Sequence, residues 1–422
     1  MSVATNGNET GVSAGRILRA GENFVLSHPQ VSRRALGLLR CVAPFVRVGD
    51  VAIVTRYADV AEVLSRDPDF TIGLYSPKME ALAGRFILGL AQGPQYEHDI
   101  SVLRLVVAQA DMPRIRKVVA DIVGEIFARL SPYGELDVVR DLSDAVPARV
   151  TDRYLGAPGP TEPQLIEWGR TQFRELFYNV RNDPAITGPA TASSAEMRAH
   201  VDRLIAARTA APAGVGAPPE DVLGRMVKLK GDERLAIDDT WIRTYIMGLI
   251  IGMLPLTSKA AALAVNVMLD RQGLLAGAHE AAKADDDDLL WRYISEAMRI
   301  APQSPGQFRL SDGVWRIGPN NNYEIPSGTR VFAATQSAMF DRRAFSRPAR
   351  IRTDRPASRY LHFGYGLHSC FGRFISYEAQ IPGMIKGLLT QPNLRRAPGS
   401  AGRLTWDGPF PDSLKVAFDP SP

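Results

Sequence analysis

One stretch of the sequence decides the fold: His362-Phe363-Gly364-Tyr365-Gly366-Leu367-His368-Ser369-Cys370-Phe371-Gly372-Arg373. It sets a cysteine at the end of a glycine-rich loop, directly before an apolar segment, residues 375–389, that predicts a helix. A thiolate at Cys370 would face the positive end of that helix and several backbone N–H groups, and both lower the pKa of a thiol. We therefore expect Cys370 to be a metal ligand.

The glycine positions in this loop can be explained by the backbone conformation that a cofactor-binding loop requires. A loop that presses its backbone against a flat macrocycle must tolerate unusual φ/ψ angles and leaves no room for a Cβ. The run resembles the haem-ligand loop of the cytochrome P450 family, Phe-Gly-x-Gly-x-His-x-Cys-x-Gly. Every named position is filled, by Phe363, Gly364, Gly366, His368, Cys370 and Gly372.

The resemblance implies a cofactor and its ligand. Cys370 would be the axial thiolate on the iron of haem b (iron protoporphyrin IX), and a thiolate in that position favours O–O cleavage. His368 would donate to a haem propionate, and Phe363, Gly364 and Gly372 would contact the haem. For a cysteine outside such a loop, a buried structural role would be the ordinary interpretation.

Length and composition favour one large domain. The chain has 422 residues, of which 45% are hydrophobic and 23% charged, which is ordinary for a soluble globular protein. It is long for a single-core domain, yet no linker divides it, so we expect a core built around a cofactor. The resemblance implies the cytochrome P450 fold, mainly α with small β-sheets (α+β), over residues 15–422. The polar residues 1–14 are expected to form a disordered tail.

Charge and cysteine usage argue against several classes of protein. The net charge of +5 comes from interleaved charges with no long basic run, which argues against nucleic-acid binding. Two cysteines, Cys41 and Cys370, are too few for a disulfide framework and suit a reducing cytoplasm. The first fourteen residues lack the apolar core of a signal peptide, and we expect no membrane anchor. The sequence therefore predicts a cytoplasmic protein.

Most other segments are predicted to be helical. The pattern predicts helices at residues 15–39, 57–65, 112–131, 140–155, 161–178 and 194–211, and a loop at 182–189. Predicted hairpins turn at Gly49-Asp50 and join residues 404–406 to 414–418. Residues 70–95 mix glycine and proline with apolar residues, which predicts a mobile wall over a pocket. The resemblance makes the helices around 182–189 the lid of a substrate chamber, and the turn near Phe410 a substrate contact.

Candidate ligands for the haem propionates lie in two segments. In the P450 family one helix contributes a His and an Arg, four residues apart. Here His98 and Arg104 are six apart, about 120° from alignment on an ideal helix, so the usual pair cannot be copied directly. Arg104 is the better candidate because a guanidinium binds a carboxylate bidentately. His98 is a candidate beside the alternative of a surface residue at a helix start, and Arg309 is a donor by analogy.

A long apolar segment is predicted to cross the distal haem face. Residues 241–269 are apolar nearly all round, which predicts a buried helix, and an acidic start suits its dipole. Most family members carry there a small residue, Gly, an acid and Thr, and the last two deliver protons to bound dioxygen. The aligned run here is Ile251-Gly252-Met253-Leu254-Pro255-Leu256-Thr257-Ser258, with Leu254 and Pro255 in the acid and alcohol positions.

This departure bears on catalysis. Gly252, Leu254, Pro255 and Thr257 are the predicted catalytic positions on the distal helix. Pro255 predicts a kink or opening over the haem, and Leu254 cannot relay a proton. Thr257 or Ser258 can supply a hydroxyl, or can bond back to the preceding turn.

A Glu-x-x-Arg pair lies about seventy residues before Cys370. The spacing of Glu296 and Arg299 places both on one helix face. In isolation such a pair is ordinarily a surface ion pair. The resemblance implies instead that the pair, with Arg355 or Arg359, holds in place the segment that leads into the cysteine loop.

The resemblance implies an enzyme. The first hypothesis is a monooxygenase that inserts one oxygen atom of O2 into a small apolar or aromatic molecule, with electrons from a ferredoxin or flavodoxin and its NAD(P)H-dependent reductase. The second is peroxide-driven or non-oxygenating haem chemistry, such as oxidative coupling or rearrangement, because Leu254 and Pro255 replace the acid and alcohol. A third is a haem sensor or carrier without turnover.

Overall fold

Helices dominate the part of the chain that the structure describes, residues 28–211 and 220–420 of a computed structural model. The predicted tail, residues 1–14, and the start of the helix predicted from residue 15 lie outside the described residues. The α-helices are α1 Pro29–Val42, α2 Tyr57–Ser65, α3 Ser76–Leu82, α4 Pro94–Val106, α5 Met112–Leu130, α6 Ala145–Val150, α7 Glu162–Phe177, α8 Pro184–Ala210, α9 Val222–Leu229, α10 Asp239–Leu269, α11 Gln272–Lys283, α12 Asp287–Ile300, α13 Thr335–Ala338, α14 Arg373–Ile375 and α15 Ile381–Leu389.

Short strands make up the remaining regular structure. They are β1 Phe45–Val48, β2 Val51–Val54, β3 Phe70–Thr71, β4 Glu135–Asp137, β5 Gln307–Ser311, β6 Trp315–Ile317, β7 Tyr323–Ile325, β8 Arg330–Ala333, β9 Arg395–Arg396, β10 Thr405–Asp407, β11 Phe410–Ser413 and β12 Lys415–Ala417. The largest described sheet has the order β1-β2-β8-β5-β3, in which only β2 and β8 run parallel, with Val51 opposite Arg330. The predicted class, mainly α with small sheets, is confirmed.

The helix α10 forms the centre of the core. It is 31 residues long, and the Asp238 side chain caps its start by accepting a hydrogen bond of 2.7 Å from the Trp241 N–H. Its apolar residues face α7, α8 and α12 on different sides, which explains why the segment is apolar nearly all round. Its length and composition would allow it to cross a bilayer, but 89% of its most apolar window is buried inside the protein. The helix continues through Pro255 rather than ending there.

Two predictions about the lid and the C-terminal strands are wrong. Residues 182–189 are not a loop: α8 begins at Pro184, whose missing N–H is harmless in a first turn, and the Asp183 side chain accepts from the Ala185 N–H. The predicted C-terminal hairpin has a different partner: β10 pairs with β11, whereas β12 pairs with β4 and β9. The turn before Phe410 therefore belongs to the β10–β11 hairpin.

Two other segments differ from their predictions, one by being less regular and one by being more regular. Residues 140–155 do not form one α-helix, since π-helical segments, Val138–Ser143 and Thr151–Leu155, flank α6. Residues 70–95 contain β3, α3 and a short 3₁₀ turn, Ile87–Gly89, rather than irregular chain alone.

Glycines shape the loop before α14. Gly364 and Gly366 have φ angles of +77° and +74°, which L-residues rarely adopt. A Cβ on Gly366 would lie 2.3 Å from the Leu64 carbonyl oxygen, so this loop can approach α2 only without a side chain. The loop then closes on itself, because the Cys370 N–H donates to the Phe363 carbonyl at 2.8 Å.

Candidate active site

A cavity of about 700 Å³ separates α10 from the cysteine loop. Phe363, Cys370 and Gly372 line it from the loop side, and Gly252 and Leu256 from the α10 side. The largest well-formed apolar cavity with convergent polar groups is the usual place of a ligand site. The fold thus brings the cysteine loop and the central helix, distant in sequence, to one chamber.

The Cys370 thiol lines this cavity, so it is accessible while enclosed by the protein. Burial raises the pKa of Cys370 to about 11, and the Gly372 N–H and the charge of Arg373 lower it by less. The loop N–H lowers the pKa, as expected, but loss of hydration outweighs it, and α14 extends over only three residues before the backbone becomes π-helical. A thiol that coordinates a metal loses its proton regardless.

The two faces of the cavity fit a flat group. A Cβ built on Gly252 or on Gly372 would meet no other atom within 4 Å, so both glycines border open space on opposite sides of the chamber. A gap with glycine backbone on each face and a sulfur at its floor suits a planar macrocycle that carries a thiophilic iron. The residues present therefore fit haem.

The two arginines and the histidine that are predicted to bind the haem propionates line the cavity: Arg104, Arg309 and His368. Arg309 is 3% exposed and donates to the Phe308 carbonyl at 2.9 Å, and burial lowers its pKa. His368 Nε2 lies 3.0 Å from Asp67 Oδ1. Arg104 extends from α4. Their role toward haem propionates stays a prediction that this placement supports.

The structure places His98 away from this group. Its ring nitrogens lie 2.8 Å from Asp99 Oδ1 and 2.8 Å from the Leu235 carbonyl, and the bond to Asp99 raises the pKa of His98. Instead Tyr96, Ile100 and Arg104 of α4 line the cavity, each four residues after the last. Sequence reasoning missed Ile100, which holds the place four residues before Arg104. That spacing was the available signal.

The face of α10 that lines the cavity is not the one that the sequence predicted, since Leu254 and Pro255 are not on it. The α10 residues that line the cavity follow helical spacing: Gly248, Leu249, Gly252, Met253, Leu256, Thr257 and Ala260. Leu254 and Pro255 are buried on the other side, where Pro255 Cγ lies 3.5 Å from the position of a Cβ on Gly169 of α7. Leu256, four residues after Gly252, thus occupies the wall above the thiol.

The hydroxyls next along α10 are engaged with neighbouring elements. Thr257 Oγ1 lies 2.8 Å from Ser376 Oγ, and both residues line the cavity. Ser258 donates to Asp144 Oδ1 at 2.6 Å, which ties α10 to the start of α6. Among Leu249, Gly252, Met253, Leu256, Thr257 and Ala260, only Thr257 carries a polar side chain, and no carboxylate accompanies it there.

The Glu296–Arg299 pair is fully buried. Both side chains have 0% exposure, with Arg299 Nε and Nη2 at 2.7 and 2.8 Å from the two Glu296 oxygens. Glu296 also accepts from Arg355 Nε at 3.1 Å and from the Tyr360 hydroxyl at 2.9 Å. Arg359 instead donates to the Ala344 carbonyl. The network fastens α12 to the segment that precedes the cysteine loop.

Aromatic rings form the wall opposite the loop. Phe173 stacks on Phe177 with centroids 4.3 Å apart, and Tyr75 lies 5.2 Å from Phe177. Phe173 and Tyr178 both contact Phe410 of the β10–β11 hairpin edge to face. The rings that line the cavity come from α7, the residue after it and the segment before α3, and they make that part of the wall apolar. Phe410 packs on Phe173 and Tyr178 and is not among the residues that line the cavity, so a substrate contact there stays a prediction.

Comparisons with known proteins give partial likenesses in sequence. No family model matches the chain. It is 26% identical over 335 residues to a bifunctional dioxygenase (DOX)-epoxy alcohol synthase (EAS) of Pyricularia oryzae, covering 68% of this chain and 28% of the relative. It is 27% identical over 266 residues to cyclomarin C epoxidase CymV of Salinispora arenicola, covering 62% and 61%. It is 25% identical over 337 residues to mycinamicin IV hydroxylase/epoxidase of Micromonospora griseorubida, covering 76% and 77%. The matched region thus spans less than two thirds of the first two relatives.

Solved structures agree over nearly the whole chain. The structure of CalO2 has a TM-score of 0.80 at 21% identity and covers 93% of this chain and 97% of its own. An intact type IV self-sufficient cytochrome P450 monooxygenase gives 0.78 at 19% identity, covering 94% and 52%. P450BioI, solved with an acyl carrier protein that carries hexadec-9Z-enoic acid, gives 0.77 at 19%, covering 92% and 99%. The chain therefore has the fold of these cytochrome P450 structures, and it carries the complete cysteine loop beside the chamber.

Proposed function

We propose that the protein is a haem-thiolate monooxygenase that inserts one oxygen atom of O2 into a small apolar or aromatic molecule. The observation that carries this proposal is the single chamber that joins the Cys370 thiol to an apolar and aromatic wall. The similarity to an epoxidase and to a hydroxylase/epoxidase favours the same chemistry.

The chain's own residues have distinct parts in this proposal. Haem supplies oxygen activation when bound. Cys370 holds its iron, and Arg104, Arg309 and His368 hold its carboxylates by charge-assisted hydrogen bonds. Leu256 and the aromatic wall exclude water and orient an apolar substrate, which places a C–H or C=C bond near the reacting centre.

Electrons and location belong to the proposal as well. A haem enzyme that uses O2 needs two electrons for each turnover, and we propose a ferredoxin or flavodoxin with its NAD(P)H-dependent reductase as their source. We propose that the enzyme is cytoplasmic, because the cytoplasm supplies NAD(P)H. The two cysteines of the chain are free thiols, which suits that reducing compartment.

A second candidate is chemistry that takes its oxygen from a peroxide. Two observations favour it. The side chain of Leu256, which lines the cavity, carries no proton donor. The chain is also similar, over 68% of its length, to a bifunctional dioxygenase (DOX)-epoxy alcohol synthase (EAS). An epoxy alcohol is an isomer of an unsaturated hydroperoxide. The O–O bond breaks, one oxygen adds to the C=C bond, and the other stays as the alcohol, so that neither O2 nor a reductant is consumed.

The deciding experiment compares oxidants on one ligand. The haem protein is assayed with ferredoxin, reductase, NAD(P)H and ¹⁸O2, and separately with hydrogen peroxide or an unsaturated hydroperoxide. The first candidate predicts one ¹⁸O atom in each product molecule. Product formed only with peroxide or hydroperoxide would reject it in favour of the second.

Substitutions on α10 test the wall above the thiol. A positioned proton donor contributes about 10²–10⁴-fold to a proton-coupled step. Leu256→Thr brings a hydroxyl to the cavity wall and should raise the product formed per NAD(P)H consumed, whereas Pro255→Thr, on the face toward Gly169, should not. No gain from Leu256→Thr, with efficient use of peroxide, favours the second candidate.

A further inference from the structure

A lysine lies buried beside the aromatic wall of the cavity. Lys259 of α10 is 1% exposed, and its Nζ donates to the Tyr178 hydroxyl at 3.0 Å. The same amine lies 5.3 Å from the centre of the Tyr178 ring and 5.7 Å from that of Trp406. A lysine is almost never fully buried unless its amine is used, because the group loses hydration.

Three elements converge at this point. Tyr178 directly follows α7, Lys259 belongs to α10, and Trp406 belongs to β10. Tyr178 lines the cavity, as does Ala260, the residue after Lys259. The amine therefore stands behind a tyrosine that forms part of the chamber wall.

Within the part of the chain that the structure describes, the proton of the Tyr178 hydroxyl has no acceptor. A phenol has one O–H donor and can accept through oxygen lone pairs. Lys259 occupies an acceptor site of the oxygen, which leaves the O–H free to donate. Donation from the amine also polarises the phenol and makes its O–H a better donor.

We propose that Tyr178 binds an oxygen of the substrate, a carbonyl or a carboxylate, and that Lys259 is the residue that positions its hydroxyl. The substrate class is then a flat apolar molecule that carries such an oxygen at the end that meets Tyr178, with its body against Phe173 and Phe177. This inference deepens the proposed function, because it rests on the chamber being the substrate site.

The test measures equilibrium binding and needs no turnover. Isothermal titration calorimetry on the ferric haem protein compares 2-acetylnaphthalene with 2-isopropenylnaphthalene, in which CH2 replaces the carbonyl oxygen. One hydrogen bond should make the ketone bind about five- to tenfold more tightly. Tyr178→Phe should weaken binding of the ketone and leave the affinity for the alkene unchanged, so that the ratio of the two affinities falls to about one.

Matched variants separate binding from packing. Tyr96→Phe removes the hydroxyl of another tyrosine that lines the cavity, whose O–H already donates to the Leu367 carbonyl at 3.1 Å, and should keep the preference for the ketone. Lys259→Met keeps an unbranched side chain. It should lower the ratio of ketone affinity to alkene affinity without weakening the binding of the alkene. A merely structural Lys259 would change the midpoint of thermal unfolding but not the ratio.

The outcomes are distinguishable from those of the proposed function. A wild-type ratio of one, or a ratio that Tyr178→Phe leaves unchanged, overturns the inference even if the enzyme oxygenates other ligands. A preference that disappears in Tyr178→Phe supports it even if no probe is turned over. 2-Naphthoic acid separates the two acceptors: binding tighter than that of the ketone, and sensitive to Lys259→Met, assigns a carboxylate, whereas weaker binding assigns a neutral carbonyl.

Discussion

Replacing Arg299 by methionine should destabilise the protein strongly. The guanidinium makes two hydrogen bonds to Glu296, at 2.7 and 2.8 Å, and one to the Pro348 carbonyl at 2.9 Å, all without exposure of either ionic side chain. Breaking a buried pair by removing one partner costs about 3–5 kcal/mol, since the other charge stays buried. Glu296 retains Arg355 and Tyr360 as partners, so we expect the lower end, about 3 kcal/mol.

Urea unfolding of the ferric haem protein, followed by circular dichroism, measures this loss. Thermal unfolding gives a second measure of the same loss. With an unfolding entropy of about 2.1 cal/mol/K per residue, a loss of about 3 kcal/mol lowers the thermal midpoint of a chain of this length by about 3–4 °C. The control is Lys117→Met, whose partner Asp121 lies at 2.8 Å with 75% and 49% of the two side chains exposed. That change should cost under about 0.5 kcal/mol. Equal losses in the two variants would refute the role of the buried network.

Two further predictions concern the loop and the buried lysine. Gly366→Ala should cost more stability and haem retention than Gly399→Ala: both have positive φ angles, +74° and +68°, but only the Cβ on Gly366 would collide, at 2.3 Å from the backbone. Similar urea midpoints for the two variants would contradict this. Burial lowers the pKa of Lys259 to about 7, so above that pH the unfolded chain binds more protons there than the folded one. The free energy of unfolding should therefore rise from pH 7 to pH 9 relative to Lys259→Met, and parallel pH profiles would reject the shift.

The cysteine loop shows how much could be predicted from local sequence. Its glycines and its cysteine meet requirements that the backbone and the cofactor impose within a dozen residues, so the fold class and Cys370 could be predicted together. The central helix was likewise predicted, because an apolar surface on every side allows only burial.

Orientation could not be predicted in the same way. A helix apolar all round carries no signal for which side meets the cavity, and α10 turns Leu256 toward it and Leu254 and Pro255 toward α7. The residue four before Arg104 is apolar Ile100, so attention to titratable residue types led to His98 instead. Pairing of β12 with β4 depends on contacts almost three hundred residues apart, which a local turn signal cannot report.

The protonation of Cys370 needed the structure as well. The helix and the N–H groups could be predicted from the sequence, but burial in the chamber has the larger effect on the thiol pKa. A metal bound by this sulfur would therefore have to supply most of the stabilisation of the thiolate.

The most direct test of the account is iron X-ray absorption on the purified haem protein and its Cys370→Ser variant. The account predicts one sulfur neighbour of the iron in the wild type and none in the variant, with haem still bound through its carboxylate contacts in part of the sample. A sulfur neighbour that persists in Cys370→Ser, or a wild type with only nitrogen and oxygen neighbours, would contradict the assignment of Cys370 on which the proposed chemistry depends.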